Sequence, residues 1–197
     1  MGEHEVKAAS GKRQTETARA VFLDRDGVIN RALVRAGLPY APTHFSEFEI
    51  LPGVAEACSK LKAAGFLLIV ATNQPDVGRG TVKQEVVEEI HRFMCHELPI
   101  DRVEVCYHPG KGFECDCRKP KPGMLLHAAQ ELGIDPAQSW MVGDRWRDID
   151  CGRAAGCRTI LIEYNYDEAL RQAPDFRVTS LLAAADLILS EVGRKAG

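Results

Sequence analysis

Two aspartates stand at alternate positions directly after a short apolar run near the start of the chain. The run Ala20–Leu23 is typical of a buried strand, and Asp24 and Asp26 follow it before Gly27 lets the backbone turn sharply. Open α/β sheets bind ligands at the carboxyl ends of their strands. An aspartate there could attack phosphorus and form an aspartyl-phosphate, and the second could act as general acid and base. The alternative is an ordinary strand-end turn, in which Asp and Gly are common.

A further pair of aspartates follows a later apolar run. Asp144 ends that run, and Asp148 comes four positions on. If the sheet brings Asp144 beside Asp24, the two carboxylates could hold a hard divalent cation, and beside a phosphate Mg²⁺ is the natural one. The metal would neutralise phosphate charge and steer the attack. Alternatively, Asp144 only caps a helix. Asp148 is either a helix-surface residue or a hydrogen-bonding group behind the metal.

Two other segments offer groups that could bind a phosphoryl oxygen. Thr72 follows an apolar run, where a hydroxyl and backbone amides can donate hydrogen bonds to such an oxygen. A basic turn stiffened by prolines covers residues 118–123, and a lysine in it could stabilise negative charge. Arg118 could hold a ligand oxygen with two hydrogen bonds. An ordinary loop at Thr72 and a solvated basic turn are the alternatives.

Three thiols and one imidazole are closely spaced in the segment just before this turn. With a Gly-containing spacer, their C-x-H and C-x-C pairs make a complete four-ligand set for Zn²⁺. Because protein would fill all four positions, the predicted site is structural and holds a loop too short to fold alone. Coincidence or a disulfide is the alternative, but the chain's seven cysteines are an odd number, which favours metal ligands. The four candidate ligands are Cys106, His108, Cys115 and Cys117.

Bulk composition limits the classes to which the protein can belong. Its 197 residues fit one domain, predicted over residues 20–192, after a flexible tail over residues 1–19. A net charge of −3 argues against a general nucleic-acid or membrane-surface binder, and no apolar run approaches a membrane span. The polar start lacks an apolar signal core, so we expect a cytoplasmic protein. We also expect a monomer without nucleic-acid or membrane partners.

Short apolar runs alternate with helical patterns along the chain. This alternation predicts an α/β fold, a Rossmann-like parallel sheet with helices on both faces. Loops at the carboxyl ends of its strands should form the active site and carry the segments above. The predicted strands are 21–23, 66–71, 103–106, 139–142 and 159–162, and the predicted helices are 51–64, 81–98, 124–132, 147–155 and 179–192.

The helix 81–98 has the clearest pattern. Thr81 and Gln84 have the spacing of a capping box at its start. Cys95 within it, like Cys58 in the helix before, is expected on an apolar, buried face. The residues predicted to line the apolar face are Val82, Val86, Ile90, Phe93 and Met94.

The acidic, hydroxyl and basic segments, in this order, resemble the four motifs of the haloacid-dehalogenase superfamily of phosphohydrolases. Within it, the chain is similar to the histidinol-phosphatase and heptose-bisphosphate-phosphatase group over about residues 21–162. The superfamily motifs match Asp24-x-Asp26-Gly27, Thr72, Lys119 and Gly143-Asp144-x-x-x-Asp148. More specific signs are Thr72-Asn-Gln74, Arg79-Gly80, the C-x-H and C-x-C loop, and Cys117-Arg-Lys-Pro-Lys-Pro-Gly-Met124.

The resemblance implies roles for the matching residues. The nucleophile would be Asp24 and the proton donor Asp26, and Thr72 and Lys119 would stabilise the phosphoryl group. No large cap is expected over the site. Substrate contacts are implied for Asn73, Gln74 and Arg118, and Mg²⁺ ligands for the Asp24 carboxylate, the Asp26 backbone carbonyl and Asp144.

The resemblance also implies a substrate, D-glycero-D-manno-heptose 1,7-bisphosphate, which would lose its 7-phosphate. Histidinol phosphate is the other candidate, and a non-catalytic, zinc-stapled binding module is the alternative of another class. Two departures bear on the substrate: Pro75-Asp76 stands where a small residue and Gly are usual, and the segment 31–46 is longer than its usual counterpart. The candidate partners for a second anion are Arg25, Arg35, Arg79, Arg118 and Arg145.

Overall fold

The computed structural model describes residues 17–110 and 112–196 of the chain. Its strands are β1 (Ala20–Leu23), β2 (Leu33–Arg35), β3 (Leu38–Tyr40), β4 (Leu67–Asn73), β5 (Arg102–Cys106), β6 (Trp140–Gly143), β7 (Arg158–Ile162) and β8 (Phe176–Val178). Its α-helices are α1 (Val54–Ala63), α2 (Pro75–Gly78), α3 (Gln84–Glu97), α4 (Gly123–Leu132), α5 (Trp146–Ala155) and α6 (Leu181–Ala196).

Six strands form one parallel sheet in the order β5-β4-β1-β6-β7-β8. β1 lies inside the sheet, and its last residue, Leu23, pairs with Val70 of β4 on one side and Val142 of β6 on the other. This register brings the carboxyl ends of three strands to one edge of the sheet. The predicted Rossmann-like α/β fold is therefore confirmed.

Helices cover both faces of the sheet and bury two apolar layers. Because side chains alternate along a strand, Val21 and Leu23 of β1 face one layer, and Ala20 and Phe22 face the other. Helices α1, α3 and α6 contribute to the first layer, and α4 and α5 to the second. Coverage on both sides explains why β1 and β6 are apolar throughout. Among the described residues, no helix is long and apolar enough to cross a membrane.

Helix α3 begins three residues later than the pattern predicts. Its N-cap is Lys83, and the predicted capping box is absent because the Thr81 hydroxyl donates to the Asp76 carbonyl at 3.1 Å. The Thr81 side chain is thus used in the turn before the helix.

The buried face of α3 also differs from the prediction. Val87, Ile90, His91 and Met94 are its buried residues, at the spacing of one helical face. Val86 is only half-buried. Phe93 is 38% exposed and makes an edge contact with Phe45. Cys95 is exposed, contrary to the prediction, while Cys58 is buried as predicted. The apolar pattern did not predict this buried face because one of its residues, His91, is polar.

Four elements were missing from the prediction: β2, β3, α2 and β8. The longer segment 31–46 contains the β2–β3 hairpin, α2 starts directly at Pro75, and β8 is an edge strand. The two strands of the hairpin are three residues long each, so no large cap lies over the sheet in the described part of the chain.

Most of the predicted tail, residues 1–16, lies outside the described residues. Ala18 and Arg19 contact the domain: the Ala18 amide donates to the Gly133 carbonyl at 2.9 Å, and the Arg19 guanidinium donates to the Ala64 carbonyl at 2.6 Å. At the other end, α6 runs to Ala196, beyond the predicted end at 192. The division into a tail and one domain stays a prediction.

Candidate active site

Three strand ends place the predicted acidic and hydroxyl residues at one edge of the sheet. Asp24 follows β1, Thr72 is the penultimate residue of β4, and Asp144 follows β6. Close approach of two of these segments needs a glycine. Gly27 has φ of 91°, and a Cβ there would overlap the Asp144 carboxylate. The turn after β1 can therefore pack directly against Asp144.

Three carboxylates meet at this edge. One oxygen each of Asp24, Asp144 and Asp148 lies within 4.8 Å of the others, and the three residues are 8%, 4% and 0% exposed. Burial raises the pKa of Asp24 to about 6, with Asp148 and Asp26 adding to the rise and Lys119 opposing it. Burial, with Asp24 as neighbour, also raises the pKa of Asp144 well above its usual range. The cluster needs a counter-charge.

Two positive groups can supply that charge. The first is Lys119, whose Nζ lies 2.8 Å from Asp24 Oδ1 and 2.6 Å from Asp148 Oδ1. Although burial opposes it, these two carboxylates hold the pKa of Lys119 above its usual value. The second is a cation on Asp144, because both of its oxygens are buried and, among the described residues, only the Tyr166 hydroxyl approaches them as a donor. A hard divalent ion such as Mg²⁺ fits such oxygens.

Asp148 is a buried partner of Lys119 rather than a residue of the helix surface. Its Oδ2 also accepts from the Arg145 amide at 3.0 Å at the start of α5. A Cβ at Gly143 would overlap the Asp148 side chain, so this glycine is needed where β6 meets α5. Asp148 and Asp24 thus hold the Lys119 ammonium group between them.

Asn73 fixes the backbone of Lys119. Its amide nitrogen donates to the Lys119 carbonyl, and its amide oxygen accepts from the Lys119 amide, both at 3.1 Å. Asn73 also borders the cleft beside Asp24. The basic turn is therefore held to the end of β4, and the peptide bond between Lys119 and Pro120 is cis.

Gln74 links the acid candidate to the hydroxyl candidate. Its Nε2 donates to Asp26 Oδ2 at 2.9 Å and to Thr72 Oγ1 at 3.0 Å. Because Thr72 Oγ1 accepts this bond, its own proton is free to be donated elsewhere. Gln74 is only 3% exposed, so it acts from behind these groups.

An open cleft leads from the carboxylates to the surface. Asn73, Lys119 and the basic turn border it on one side, and Pro39 and Tyr40 of the β2–β3 hairpin on the other. Four arginines also line it: Arg79, Arg118, Arg145 and Arg147.

These arginines differ in part from the predicted anion partners. Arg25 is fully buried and paired with Asp26 at 3.0 Å, so the prediction that it binds an anion is wrong. Arg145 is held by Glu168, whose carboxylate accepts at 2.8 and 2.6 Å. Arg147 was missed by the sequence analysis. Its Nε is buried and lacks a hydrogen-bond partner in the described structure, and its nearest approach to Glu168 is 3.5 Å.

The four predicted zinc ligands come together in the structure. Their ligand atoms lie within 4.8 Å of one another. His108 Nδ1 is 3.5 Å from Cys106 Sγ and 3.2 Å from Cys117 Sγ, and Cys106 Sγ is 3.9 Å from Cys115 Sγ. A tetrahedral Zn²⁺ with thiolates at about 2.3 Å would separate two sulfurs by about 3.8 Å. The residues present therefore fit zinc.

The loop that carries these ligands packs against the cleft. A Cβ at Gly78, the last residue of α2, would overlap the Tyr107 carbonyl, so α2 lies directly on the loop. Arg79 donates to the Pro109 carbonyl at 3.1 Å, and Arg118 to the His108 carbonyl at 3.4 Å. The loop therefore supports two of the cleft's arginines.

Known proteins are similar to this chain in sequence and in architecture. A family model described as HAD-hydrolase-like matches residues 116–184. The D-glycero-beta-D-manno-heptose-1,7-bisphosphate 7-phosphatase of Pasteurella multocida (strain Pm70) is 38% identical over 157 residues, 74% of this chain and 82% of that protein. The protein of the same name from Escherichia coli (strain K12) is 38% identical over 152 residues, 71% of this chain and 76% of that protein.

A solved structure with a similar name has the same fold. The crystal structure of D,D-heptose 1,7-bisphosphate phosphatase from B. bronchiseptica, complexed with magnesium and phosphate, gives a TM-score of 0.72 at 29% identity. The match covers 88% of this chain and 99% of that chain. A parallel sheet with a carboxylate cluster at the end of its inner strands is the architecture of a phosphomonoester hydrolase of this type. The chain belongs to the haloacid-dehalogenase superfamily, in the group of phosphatases that contains these heptose-bisphosphate enzymes.

Proposed function

We propose that this phosphatase removes the 7-phosphate of D-glycero-D-manno-heptose 1,7-bisphosphate through an aspartyl-phosphate on Asp24. The observation that carries the chemistry is the contact of Lys119 Nζ with Asp24 Oδ1 at 2.8 Å, beside the other carboxylates. A buried carboxylate with a pKa of about 6 is ionised at neutral pH and able to attack. The lysine neutralises charge as the phosphoryl group approaches.

The first step transfers the phosphoryl group to the protein. Asp24 Oδ forms the new bond to phosphorus while the bond between phosphorus and the sugar oxygen breaks, and Asp26 donates a proton to that oxygen. The Thr72 hydroxyl donates a hydrogen bond to a phosphoryl oxygen. The sugar then leaves as an alcohol, and Asp26 is left as a carboxylate.

The second step returns the enzyme to its starting state. Asp26, now a base, takes a proton from water, and the resulting hydroxide attacks the phosphorus of the aspartyl-phosphate. Inorganic phosphate leaves, Asp24 is a carboxylate again, and Asp26 holds the proton that the next cycle needs.

Mg²⁺ would be held by the carboxylates of Asp24 and Asp144 and the backbone carbonyl of Asp26. When bound, it would neutralise charge on the phosphate and orient it for attack. Support comes from the buried Asp144 oxygens and from the related structure that contains magnesium and phosphate.

The proposed substrate rests on charge and on the named relatives. A bisphosphate has a second anion to place, and Arg118, Arg145 and Arg147 border the cleft with one carboxylate, Glu168, to balance them. Guanidinium groups suit phosphate because they donate two parallel hydrogen bonds. The relatives with 38% identity are named for the 7-phosphatase reaction on the β-anomer.

A structural Zn²⁺ is proposed at Cys106, His108, Cys115 and Cys117. The supporting distances are those expected of a closed tetrahedral site. Such an ion leaves no open position for substrate, so it would stabilise the loop and take no part in the reaction.

Phosphate release in the presence of Mg²⁺ tests the proposal. The kcat/KM values are compared for both heptose bisphosphate anomers, histidinol phosphate, fructose 1,6-bisphosphate and an aryl phosphate. A marked preference for one heptose anomer is expected. Comparable low values on all, or activity on histidinol phosphate alone, would contradict the proposed substrate.

The nucleophile is tested separately by Asp24→Asn. We expect no measurable turnover on any of these compounds, because an amide cannot form the acyl phosphate. The unfolding temperature and zinc content should remain close to those of the wild type. An Asp24→Asn variant with full activity would refute the assignment.

A further inference from the structure

Arg25 lies between Asp24 and Asp26 in the turn after β1, and its guanidinium is hydrogen-bonded to two side chains, Asp26 and His91. Nη2 of the fully buried Arg25 donates to Asp26 at 3.0 Å from Oδ1 and 3.1 Å from Oδ2. Its Nη1 lies 3.0 Å from Nε2 of His91 on α3. Because arginine only donates, His91 Nε2 must accept, and the ring carries its proton on Nδ1.

His91 is suited to accept this bond permanently. It is 9% exposed, and burial together with the Arg25 charge lowers its pKa to about 3. The imidazole is therefore neutral at neutral pH. Its helix is anchored in the core through the buried side chains of Val87, Ile90 and Met94. A rigid element thus presents a fixed acceptor to Arg25.

The orientation of the Asp26 carboxylate depends on this arrangement. Asn30 Nδ2 donates to Asp26 Oδ1 at 3.0 Å, and Gln74 Nε2 donates to Oδ2 at 2.9 Å. Each of these amides reaches one oxygen, whereas the planar guanidinium contacts both and so defines the plane of the carboxylate. Arg25 Nε also donates to Asp26 Oδ1 at 3.2 Å, so His91 is the contact that fixes the remaining nitrogen, Nη1. Without an acceptor on Nη1, the guanidinium is held by Asp26 alone and can shift together with that plane.

We propose that His91 is a positioning residue that holds Arg25 against Asp26, so that Asp26 faces the oxygen of the leaving group. The inference rests on the proposed function, in which Asp26 protonates that oxygen. A purely structural His91 would affect stability and all substrates alike. A positioning His91 affects most the substrates that need the proton.

The experiment compares two leaving groups. A sugar phosphate such as fructose 1,6-bisphosphate releases an alkoxide that must be protonated, whereas p-nitrophenyl phosphate releases a phenolate that leaves without help. His91→Leu removes the acceptor, and His91→Gln retains an amide acceptor. We expect His91→Leu to lower kcat/KM about tenfold or more on the sugar phosphate and less than about threefold on the aryl phosphate. His91→Gln should stay within about threefold of the wild type on both.

A matched control lies on the same helix. His96 is exposed, so His96→Leu should change neither rate. If His91→Leu does not fold, His91→Asn replaces it, because its shorter amide does not reach Arg25 and should give the same selective loss. Equal losses of kcat/KM on both substrates in His91→Leu, or equal effects of His91→Leu and His91→Gln, would overturn the inference.

Asp26→Asn separates this inference from the proposed function. In kcat/KM, which ends at formation of the aspartyl-phosphate, the variant should show the largest loss on the sugar phosphate and a much smaller loss on the aryl phosphate, while loss of the base lowers kcat on both. If it shows no such selectivity, the acid role of Asp26 is wrong and the inference falls with it. If Asp26→Asn shows this selectivity and His91→Leu does not, only the role of His91 is refuted.

Discussion

At the scale of residues, the site balances buried negative charge with few positive groups. Asp24, Asp144 and Asp148 lie in one cluster, Lys119 contacts two of them, and the proposed Mg²⁺ would supply further positive charge. Lys119 contacts both Asp148 and Asp24, the proposed nucleophile, so a substitution at Asp148 would release the lysine although Asp148 is not among the proposed Mg²⁺ ligands. Asp148 is therefore as much a part of the site as the residues that meet the phosphate.

His91 predicts a pH dependence of stability. The unfolded chain protonates this histidine below a pKa of about 6.5, but the folded chain does so only near 3, so the free energy of unfolding falls as pH falls through this window. The contribution of His91 is complete above about pH 6.5 and is lost by about 1.4 kcal/mol per pH unit below it. The free energy of unfolding, measured with denaturant from pH 7 to 4.5, should fall less steeply with pH in His91→Gln than in the wild type. Parallel profiles would contradict the shifted pKa.

Arg147 predicts an effect on one class of substrate. Its charge is opposed by Arg145 and Arg118, and burial with these neighbours lowers its pKa. A second phosphate would relieve this repulsion. Arg147→Gln should raise KM for a heptose bisphosphate about tenfold, equal to about 1.4 kcal/mol, and leave KM for an aryl phosphate nearly unchanged. The exposed Arg92→Gln serves as control, and an equal rise for both substrates would argue against contact with the second phosphate.

At the scale of elements, one loop supports three parts of the cleft. The segment begins at Cys106, the last residue of β5, meets α2 at Gly78, and continues past Cys117 into the turn that carries Lys119. A loop with few apolar side chains cannot fix these positions by packing alone. A metal ion held by four side chains would supply the missing rigidity.

Cys115→Ser tests that rigidity. We expect less bound zinc, measured by elemental analysis, a lower unfolding temperature, and at least a tenfold lower kcat, because the loop and Lys119 lose their support. Cys95→Ser is the matched control, since that cysteine is exposed and outside the ligand set. Unchanged zinc content in Cys115→Ser would remove the proposed site.

Gly78→Ala tests the contact between α2 and the loop. The added Cβ would overlap the Tyr107 carbonyl, so helix or loop must shift, at a cost of about 1 to 3 kcal/mol in the free energy of unfolding. Gly193→Ala in α6 meets nothing within 4 Å and should be neutral or slightly stabilising. Equal stabilities of the two variants, measured by denaturant unfolding, would show that the contact is not tight.

At the scale of the molecule, the sequence predicted the inner sheet well because its strands are continuous apolar runs. The motifs after these runs also located the carboxylates and zinc ligands that the structure brings together. Short or polar features were harder to predict. The three-residue strands β2 and β3 have no clear alternation, and the partnership of Arg25 with His91 joins residues 66 positions apart. Only the packing of α3 beside the β1 turn shows that Arg25 points inward.

The central position of β1 has a consequence for how the protein is made. Its neighbour β6 ends at Gly143, so during synthesis one edge of β1 has no partner strand until β6 has left the ribosome. Before that moment, Asp24 and Asp144 cannot meet. An unpaired apolar strand edge favours aggregation, so the order of the strands in the sheet makes the interval between β4 and β6 a vulnerable stage of folding during synthesis.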